Sequence, residues 1–572
     1  MSGTTDGLIP RSDLERLFRV GLALGSERQR GRLMERILLE AKALANADGG
    51  TVYLRTEDDL LCFEILRNDT LEIAVGGSTG ATSDLPPIPL FHPDGGENHA
   101  HVAAHATHVG RSIHVEDAYE ADGFDFDGTR KFDEQSGYRS KSFLTLPMKN
   151  QQGRVIGVLQ LINARNEAGD IVPFAARHMA VAEALAAQAA VALDAQQQYE
   201  AQRHLLESFL QLLATAIDHK SPYTGGHCRR VPVLTEMIVR AMTEARNGPY
   251  AAFQLDEEQW YELHIAAWLH DCGKVTTPTH VMDKSTKLEG IRDGLDDVKT
   301  RFAVLAAAAR ARDDCAELEQ LQSDLSFLES VNAGGEFMPE EAQVRVRAIA
   351  ERRWIDARGD PQPVLTEEEV RNLCIQRGTL TPEERLIING HMVQTVLMLE
   401  ALPFPKNLRN VPEIACGHHE RMDGRGYPKG LFAGDMSLPA RAMAVADVFE
   451  ALTASDRPYK PAMPLSQSMS IMGRMKVENH LDPELFDFFV SSGVYREYAR
   501  RHLPPELCDE VDEAELLALK PKPLELPPEA ERARRWKGFR PDYAHLVPAG
   551  AQRAVFLSGP IDSSADSPSE AS

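Results

Sequence analysis

The sequence predicts a multidomain chain in which an α+β domain with an antiparallel sheet precedes an all-α domain. Three observations carry this. Apolar residues recur at helical spacing up to about residue 48, alternate singly in 50–55 and 142–149, and return to helical spacing from 175 to about 500. Helices, then short strands, then helix is the order of an α+β domain, and the strand-free remainder is that of a helical one.

The elements follow in order. Leu33, Ile37, Leu38, Ala41 and Leu44 place helices over 12–48, and residues 1–24 form an N-terminal segment before the domain. GTVYLR (50–55) reads as a strand. SFLTLPMK (142–149) sets Phe143, Thr145 and Pro147 opposite Leu144, Leu146 and Met148. NQQGR then turns the chain into VIGVLQLI (155–162), which predicts a hairpin. The α+β domain is bounded at 25–178. Residues 175–219 contain no Gly or Pro, and Leu185, Ala192, Tyr199, Leu206 and Leu213 recur every seven residues. This predicts a linker helix over 179–204 that pairs with its copy in a homodimer. The helix is expected to run on without a break through LLATAIDHKSPYTGGH to His227. The all-α domain spans 205–500. Within it, about 284–377 is a helical insert with heptad-like leucines, fitting either a hairpin packed on the domain or a regulatory arm. Residues 501–572 are rich in Pro and acids and are expected to be largely disordered, with too little apolar surface to order themselves.

The net charge of −24 over 572 residues argues against a nucleic-acid polymer as partner. It leaves room for one small phosphorylated molecule at a local positive site. Seven scattered cysteines without a CxxC pair fit a reducing, cytoplasmic compartment. The start of the chain has no apolar signal region, and the strongly apolar runs are strand-length, so no membrane insertion is expected.

The stretch from HVEDAYEADGF through GYRSKSFLTLP to GVLQLINAR resembles a GAF domain of the cyclic-nucleotide-binding type. Of that type's expected residues, Asn163 and Phe174 are retained, while Ala164, His178 and Met179 depart from it. The resemblance implies either a cyclic nucleotide bound at this domain or a ligand-free dimerisation module.

The helical part gathers five histidines and two aspartates in apolar contexts. TGGHCRRV holds His227, WLHDCGK holds His270, Asp271 and Lys274, and INGHMV holds His391. GHHERMDGRGYPKGL adds His418 and His419, and ADVFEALTASDRPYK adds Asp447, Glu450, Arg457 and Lys460. Imidazoles with carboxylates suit Fe, Mn or Zn better than Ca or Mg. A carboxylate can bridge two ions, so Asp271 beside His270 fits a two-metal centre, and Lys274 falls one turn after His270 on the same helix face. Adjacent His418 and His419 diverge by about 100° on a helix and can approach a metal from different sides. The helix carrying His391 should start cleanly, with Thr381 as cap, Pro382 first and Glu384 closing a capping box.

HDCGK, GHHERMDGRGYPKGL and ADVFEALTASDRPYK, in this order, resemble the HD-GYP domain of the HD metal phosphohydrolases. The resemblance implies hydrolysis of cyclic di-GMP to linear pGpG, and to GMP after a second cut, with two divalent ions, Fe or Mn. It implies His227, His270, Asp271, His391, His418, His419 and Asp447 as ligands, with Glu450 supporting them and Asp271 and Lys274 as catalytic groups. Arg457 and Lys460 would contact phosphate, and Gly426, Tyr427 and Pro428 would shape the pocket. Members with three metals carry a Glu where this chain has Tyr223, so two ions are expected. The alternatives are a binding module without turnover, or a hydrolase of a hybrid cyclic dinucleotide.

Overall fold

The computed structural model describes residues 11–27, 29–220, 226–335, 337–454 and 463–547. The chain divides into two units, 1–205 and 206–572.

In the first unit, helices α1 (Arg11–Ser26) and α2 (Arg30–Ala45) precede strands β1 (Ala47–Arg55), β2 (Leu60–Asn68), β3 (Ile73–Val75) and β4 (Ile88–Pro89). Helix α3 (Val102–Val109), β5 (Ile113–Val115), α4 (Asp127–Ser136), β6 (Phe143–Lys149), β7 (Val155–Arg165) and β8 (Ile171–Val172) complete it. The sheet order is β3-β2-β1-β7-β6-β5, with β4 beside β2 and β8 beside β7. The expected hairpin is β6–β7, antiparallel, with Leu144 opposite Leu161 and Leu146 opposite Leu159. Strand alternation divides the core as the sequence implies. Leu144, Leu146 and Met148 face the cluster shared with α1, α2 and the next helix, while Phe143 packs in a separate cluster with Val102 and Phe126.

That next helix, α5 (Ala176–Lys220), is continuous over 45 residues. Val181, Leu185 and Leu193 are buried, whereas Leu205, Phe209 and Leu212 stand 71%, 54% and 63% exposed. The helix is described as far as Lys220, and Gly226 (φ 88°) stands outside helical backbone before a separate helix opens at His227, so the expected unbroken run to His227 does not hold.

In the second unit, α6 (His227–Glu244) and α7 (Glu257–Leu269) lead through a 3₁₀ turn (Cys272–Thr276) and α8 (Thr279–Met282) into the insert. There α9 (Leu295–Ala311) and α10 (Cys315–Asn332) form a helical hairpin, followed by α11 (Glu340–Ala350) and α12 (Glu367–Leu373). Val298, Phe302, Leu321, Leu328 and Val346 give the insert a core of its own. It also holds an unexpected strand pair, β9 (Arg353–Ile355) and β10 (Pro361–Pro363), joined through a turn in which Asp356 accepts the amides of Arg358 and Asp360. Helices α13 (Pro382–Glu400), α14 (Val411–Cys416), α15 (Leu438–Thr453), α16 (Leu465–Val477), α17 (Pro483–Ser491) and α18 (Val494–His502) close the helical core with α6 and α7.

Residues 503–547 differ from the expected disorder. They form α19 (Glu513–Ala518), α20 (Glu529–Trp536) and a 3₁₀ turn (Pro541–Leu546). Tyr543 and Val547 are buried against Val393 of α13. The segment has too few apolar residues for a core of its own, but spaced aromatics dock it on a surface already folded.

Candidate metal centre

Each predicted ligand arrives on a firmly started or tightly packed element. Asp256 and Gln259 form a capping box on α7, which delivers His270 at its C-terminus. The α-helix stops there. Asp271 precedes a 3₁₀ turn and Lys274 lies on it, so Lys274 does not sit on a continued α-helical face. The turn is pressed onto α13: a Cβ on Gly273 would stand 2.0 Å from the His391 carbonyl oxygen, and the Gly273 amide donates to Thr395 Oγ1 at 3.0 Å. Helix α13 itself begins with the expected Thr381–Glu384 capping box and Pro382, and presents His391. Helix α14 leads to His418 and His419, α15 carries Asp447 and Glu450, and α6 starts at His227.

The structure brings all seven together as two groups of four. His227, His270, Asp271 and Asp447 form one; Asp271, His391, His418 and His419 form the other; within each, the ligand atoms lie within 4.8 Å of one another. Asp271 belongs to both. Its Oδ2 lies 3.2 Å from His270 Nε2 and 3.4 Å from His227 Nε2. Its Oδ1 lies 3.2 Å from His391 Nε2 and 3.9 Å from His418 Nε2. Asp447 Oδ1 stands 3.2 Å from His227 Nε2.

The donor set fits metal ions on the structure's own terms. His270, His391 and His418 each donate Nδ1–H to the carbonyl three residues back, Ala267, Ile388 and Ala415, at 2.7, 2.6 and 2.7 Å. That fixes the tautomer and turns the Nε2 lone pair inward. Those three Nε2 atoms and Asp271 Oδ1 are buried without a hydrogen-bond partner, a cost that cations among them would remove. His227 Nδ1 pairs with Glu450, which also accepts from Arg230 Nε at 2.6 Å.

The electrostatics agree. Burial lowers His418 to about 4 and, with the neighbouring His418, holds His419 well below its usual range, so both imidazoles are in the ligating neutral form. Burial alone would raise Asp271, but Lys274 and His270 hold it ionised, well below the usual carboxylate range. Lys274 Nζ donates to Asp271 Oδ2 at 2.5 Å. Burial opposes the Lys274 charge, yet Asp271 keeps it above its ordinary value.

Tyr427 of the Gly426–Tyr427–Pro428 loop stacks on His419, with ring centroids 4.8 Å apart and planes at 17°. A Cβ on Gly426 would come within 2.4 Å of the Glu420 Cα and the Arg421 nitrogen, so only glycine fits. Arg457 and Lys460 lie outside the described residues, as does Tyr223.

Sequence reasoning missed several supports. Glu420 accepts the amides of Lys429, Gly430 and Leu431 at 2.7, 3.1 and 2.8 Å and so folds the loop. Asp218, on the last turn of α5, accepts the amides of Gly226 at 3.0 Å and Cys228 at 3.4 Å, capping the helix that begins with His227. Lys220 Nζ donates to the carbonyls of Lys274, at 3.3 Å, and Val275. An acid directly after the histidine pair was the one visible signal, for Glu420.

In the first unit a cavity of 420 Å³ is lined by residues including Tyr53, Arg67, Asp125, Tyr138 and Gln160. Asn163 is not among them. It is buried, accepts the amides of Lys141 and Ser142 and donates to Tyr138 Oη and the Arg139 carbonyl. Phe174 is core, packed with Val181 and Leu185. The two residues retained from the cyclic-nucleotide pattern thus serve the fold.

Residues 29–193 match the GAF domain family, and residues 367–485 match the HD domain family. The chain is 25% identical over 292 residues to a 3'3'-cGAMP-specific phosphodiesterase 3 of Vibrio cholerae, covering 50% of this chain and 40% of that one. It is 39% identical over 125 residues to 3'3'-cGAMP-specific phosphodiesterase 1 of the same organism, covering 22% of this chain and 27% of that one. It is 49% identical over 103 residues to the cyclic di-GMP phosphodiesterase response regulator RpfG of Xanthomonas campestris pv. campestris, covering 18% of this chain and 26% of that one. The chain therefore spans less than half the length of each of these relatives. Among the described residues, no helix is long and apolar enough to cross a membrane.

Proposed function

We propose that this chain, which carries a GAF domain and an HD domain, hydrolyses a phosphodiester bond of a cyclic dinucleotide, cyclic di-GMP foremost, with two divalent ions. The observation that carries this is Asp271, which offers one oxygen to each of two His/Asp groups. The relatives' names supply the substrate class. His227, His270 and Asp447 would hold one ion, His391, His418 and His419 the other, and Asp271 would serve both. Imidazole with carboxylate suits Fe, Mn or Zn, and the HD-GYP resemblance favours Fe or Mn among them. When bound, such ions would supply Lewis acidity, lowering the pKa of water towards neutrality and offsetting charge on phosphate oxygens.

The chain's own groups do the rest. Glu450 fixes the His227 ring through its other nitrogen. Lys274 sets an ammonium beside Asp271, where charge builds up on the phosphate as the 3′-oxygen leaves. Arg457 and Lys460 bind phosphate, and Gly426, Tyr427 and Pro428 bound the pocket. The product is linear pGpG, then GMP after a second cut. The protein works in the cytoplasm as a homodimer through residues 180–215, supported by the exposed Leu205, Phe209 and Leu212. Occupancy of the GAF domain, by a cyclic nucleotide or another small molecule, sets the rate.

A hybrid cyclic dinucleotide is the second reading, favoured by the match to the 3'3'-cGAMP enzyme over half of this chain. The test is elemental analysis of anaerobically purified protein, with product chromatography on cyclic di-GMP and 3′3′-cGAMP side by side. Two ions per chain and a linear product are expected. Tight binding of either nucleotide without any product would reduce the protein to a binding module.

A further inference from the structure

We propose that residues 528–547 form a strap that sets the Gly426–Pro428 loop, and through it the ring of His419, with Arg540 and Tyr543 as positioning residues for the pocket. The inference rests on the hydrolase reading for its kinetic consequence, though not for its structural one. The strap lies beyond the residues matched to the HD domain, which end at 485.

The loop is gripped on both sides. From within, Glu420 takes the amides of Lys429, Gly430 and Leu431. From outside, the strap takes carbonyls. Arg540 Nη1 donates to the Arg425 and Gly426 carbonyls at 3.0 and 2.9 Å, and the Arg540 amide donates to the Pro428 carbonyl at 2.9 Å. Arg535 Nη1 donates to the Gly430 carbonyl at 3.2 Å. In return, Lys429 Nζ donates to the Trp536 carbonyl at 3.1 Å. Backbone polar groups of a loop are otherwise left to water, and their capture by a distant segment holds one loop shape.

The aromatic contacts carry that shape to the metal centre. Tyr427 lies between His419, at 4.8 Å, and Tyr543, at 5.9 Å with planes at 29°. Tyr543 is fixed in turn, since Asn389 Nδ2 donates to its hydroxyl at 3.1 Å. Asn389 stands two residues before His391 on α13, so the strap also touches the helix that delivers a second ligand. Removing the strap's side chains would free Tyr427, and His419 would lose the surface that orients it.

The experiment uses the full chain and three variants, Tyr543→Ala, Tyr543→Phe and Arg540→Ala. Hydrogen exchange of peptides covering 421–431 is followed together with manganese occupancy and initial rates. Tyr543→Ala is expected to speed exchange of the loop amides and raise KM about 5-fold, the scale of one aromatic contact, with helical CD unchanged. Tyr543→Phe keeps the stacking and should restore KM. Arg540→Ala should speed exchange further. A lowered Tm with unchanged loop exchange and unchanged KM would make the strap mere terminal packing and overturn the proposal. If the wild-type chain turns over no cyclic dinucleotide, the hydrolase reading fails. The exchange arm and the affinity for the second manganese ion still decide the strap: unchanged values in Arg540→Ala sink it.

Discussion

Gly273→Ala adds a single methyl where the structure has no room. The new Cβ would lie 2.0 Å from the His391 carbonyl oxygen and 2.6 Å from both the amide and the hydroxyl of Thr395. Two of the three, the His391 carbonyl oxygen and the Thr395 nitrogen, are backbone and cannot swing aside. To reach even a tight contact near 3 Å, α13 and the 3₁₀ turn must separate by about 1 Å. His391 Nε2, now 3.2 Å from Asp271 Oδ1, moves away with its helix. Overpacking of this kind costs about 1–3 kcal/mol of stability. A 1 Å misplacement at a reacting centre costs about 10²-fold in rate. The expected variant is therefore folded, with a lower Tm, one ion retained on the His227 side, the other weakened, and a rate down about 10²-fold. Thermal unfolding, manganese occupancy after dialysis at fixed free metal, and initial rates on cyclic di-GMP measure these together. Wild-type rate with both ions retained would mean that the contact between the turn and α13 does not position the ligands, and the reasoning fails.

Other perturbations separate the roles at the centre. Asp271→Ala removes the shared carboxylate and should abolish both ions and all hydrolysis; two ions by elemental analysis would refute the bridge. Lys274→Ala should keep both ions yet slow hydrolysis about 10²-fold or more, and a normal rate would leave Lys274 a mere partner of Asp271. Glu450→Gln should weaken the ion on His227 by about 10- to 100-fold while sparing the other, as read by competition with a chromogenic chelator. Away from the metals, burial raises the Glu413 carboxyl from 4.5 to about 7, although it accepts from the Ser437 amide and hydroxyl. A raised carboxyl contributes stability that is complete below 4.5 and lost as pH climbs through about 7. Glu413→Gln should flatten the fall in unfolding free energy, read from urea titrations, between about pH 5 and pH 8, by an amount on the order of 2–3 kcal/mol. Parallel slopes in the two proteins would count against it.

Much of this was legible in the residues. Alternation in SFLTLPMK placed Leu144, Leu146 and Met148 on one face, and the structure packs them there because a strand's period is fixed. The Thr381–Glu384 capping box was readable because capping is local. The histidines stood out by their apolar surroundings, and packing brought all seven predicted residues together. What stayed hidden was long-range. The α-helix ends at Leu269, and just beyond it Gly273 meets α13, 122 residues away in sequence. Arg540 and Tyr543 sit in a charged, Pro-containing stretch whose composition signals disorder, and their partners are Gly426 and Asn389. Composition weighs what a segment can bury by itself, not what it can cover. The β9–β10 pair was missed because three-residue strands show no period.

The last turn of α5 touches the centre at two places, Asp218 on the start of α6 and Lys220 on the turn that carries Lys274. The substrate-shaping loop is held elsewhere, by Glu420 and Arg540. Strain arriving along a stiff helix about 68 Å long would therefore reach His227 and Lys274 in one stroke, and leave the Gly426–Pro428 loop alone. Control of this kind works as a throttle. On the hydrolase reading proposed above, the ceiling on turnover would rise and fall while the concentration for half-saturation holds still.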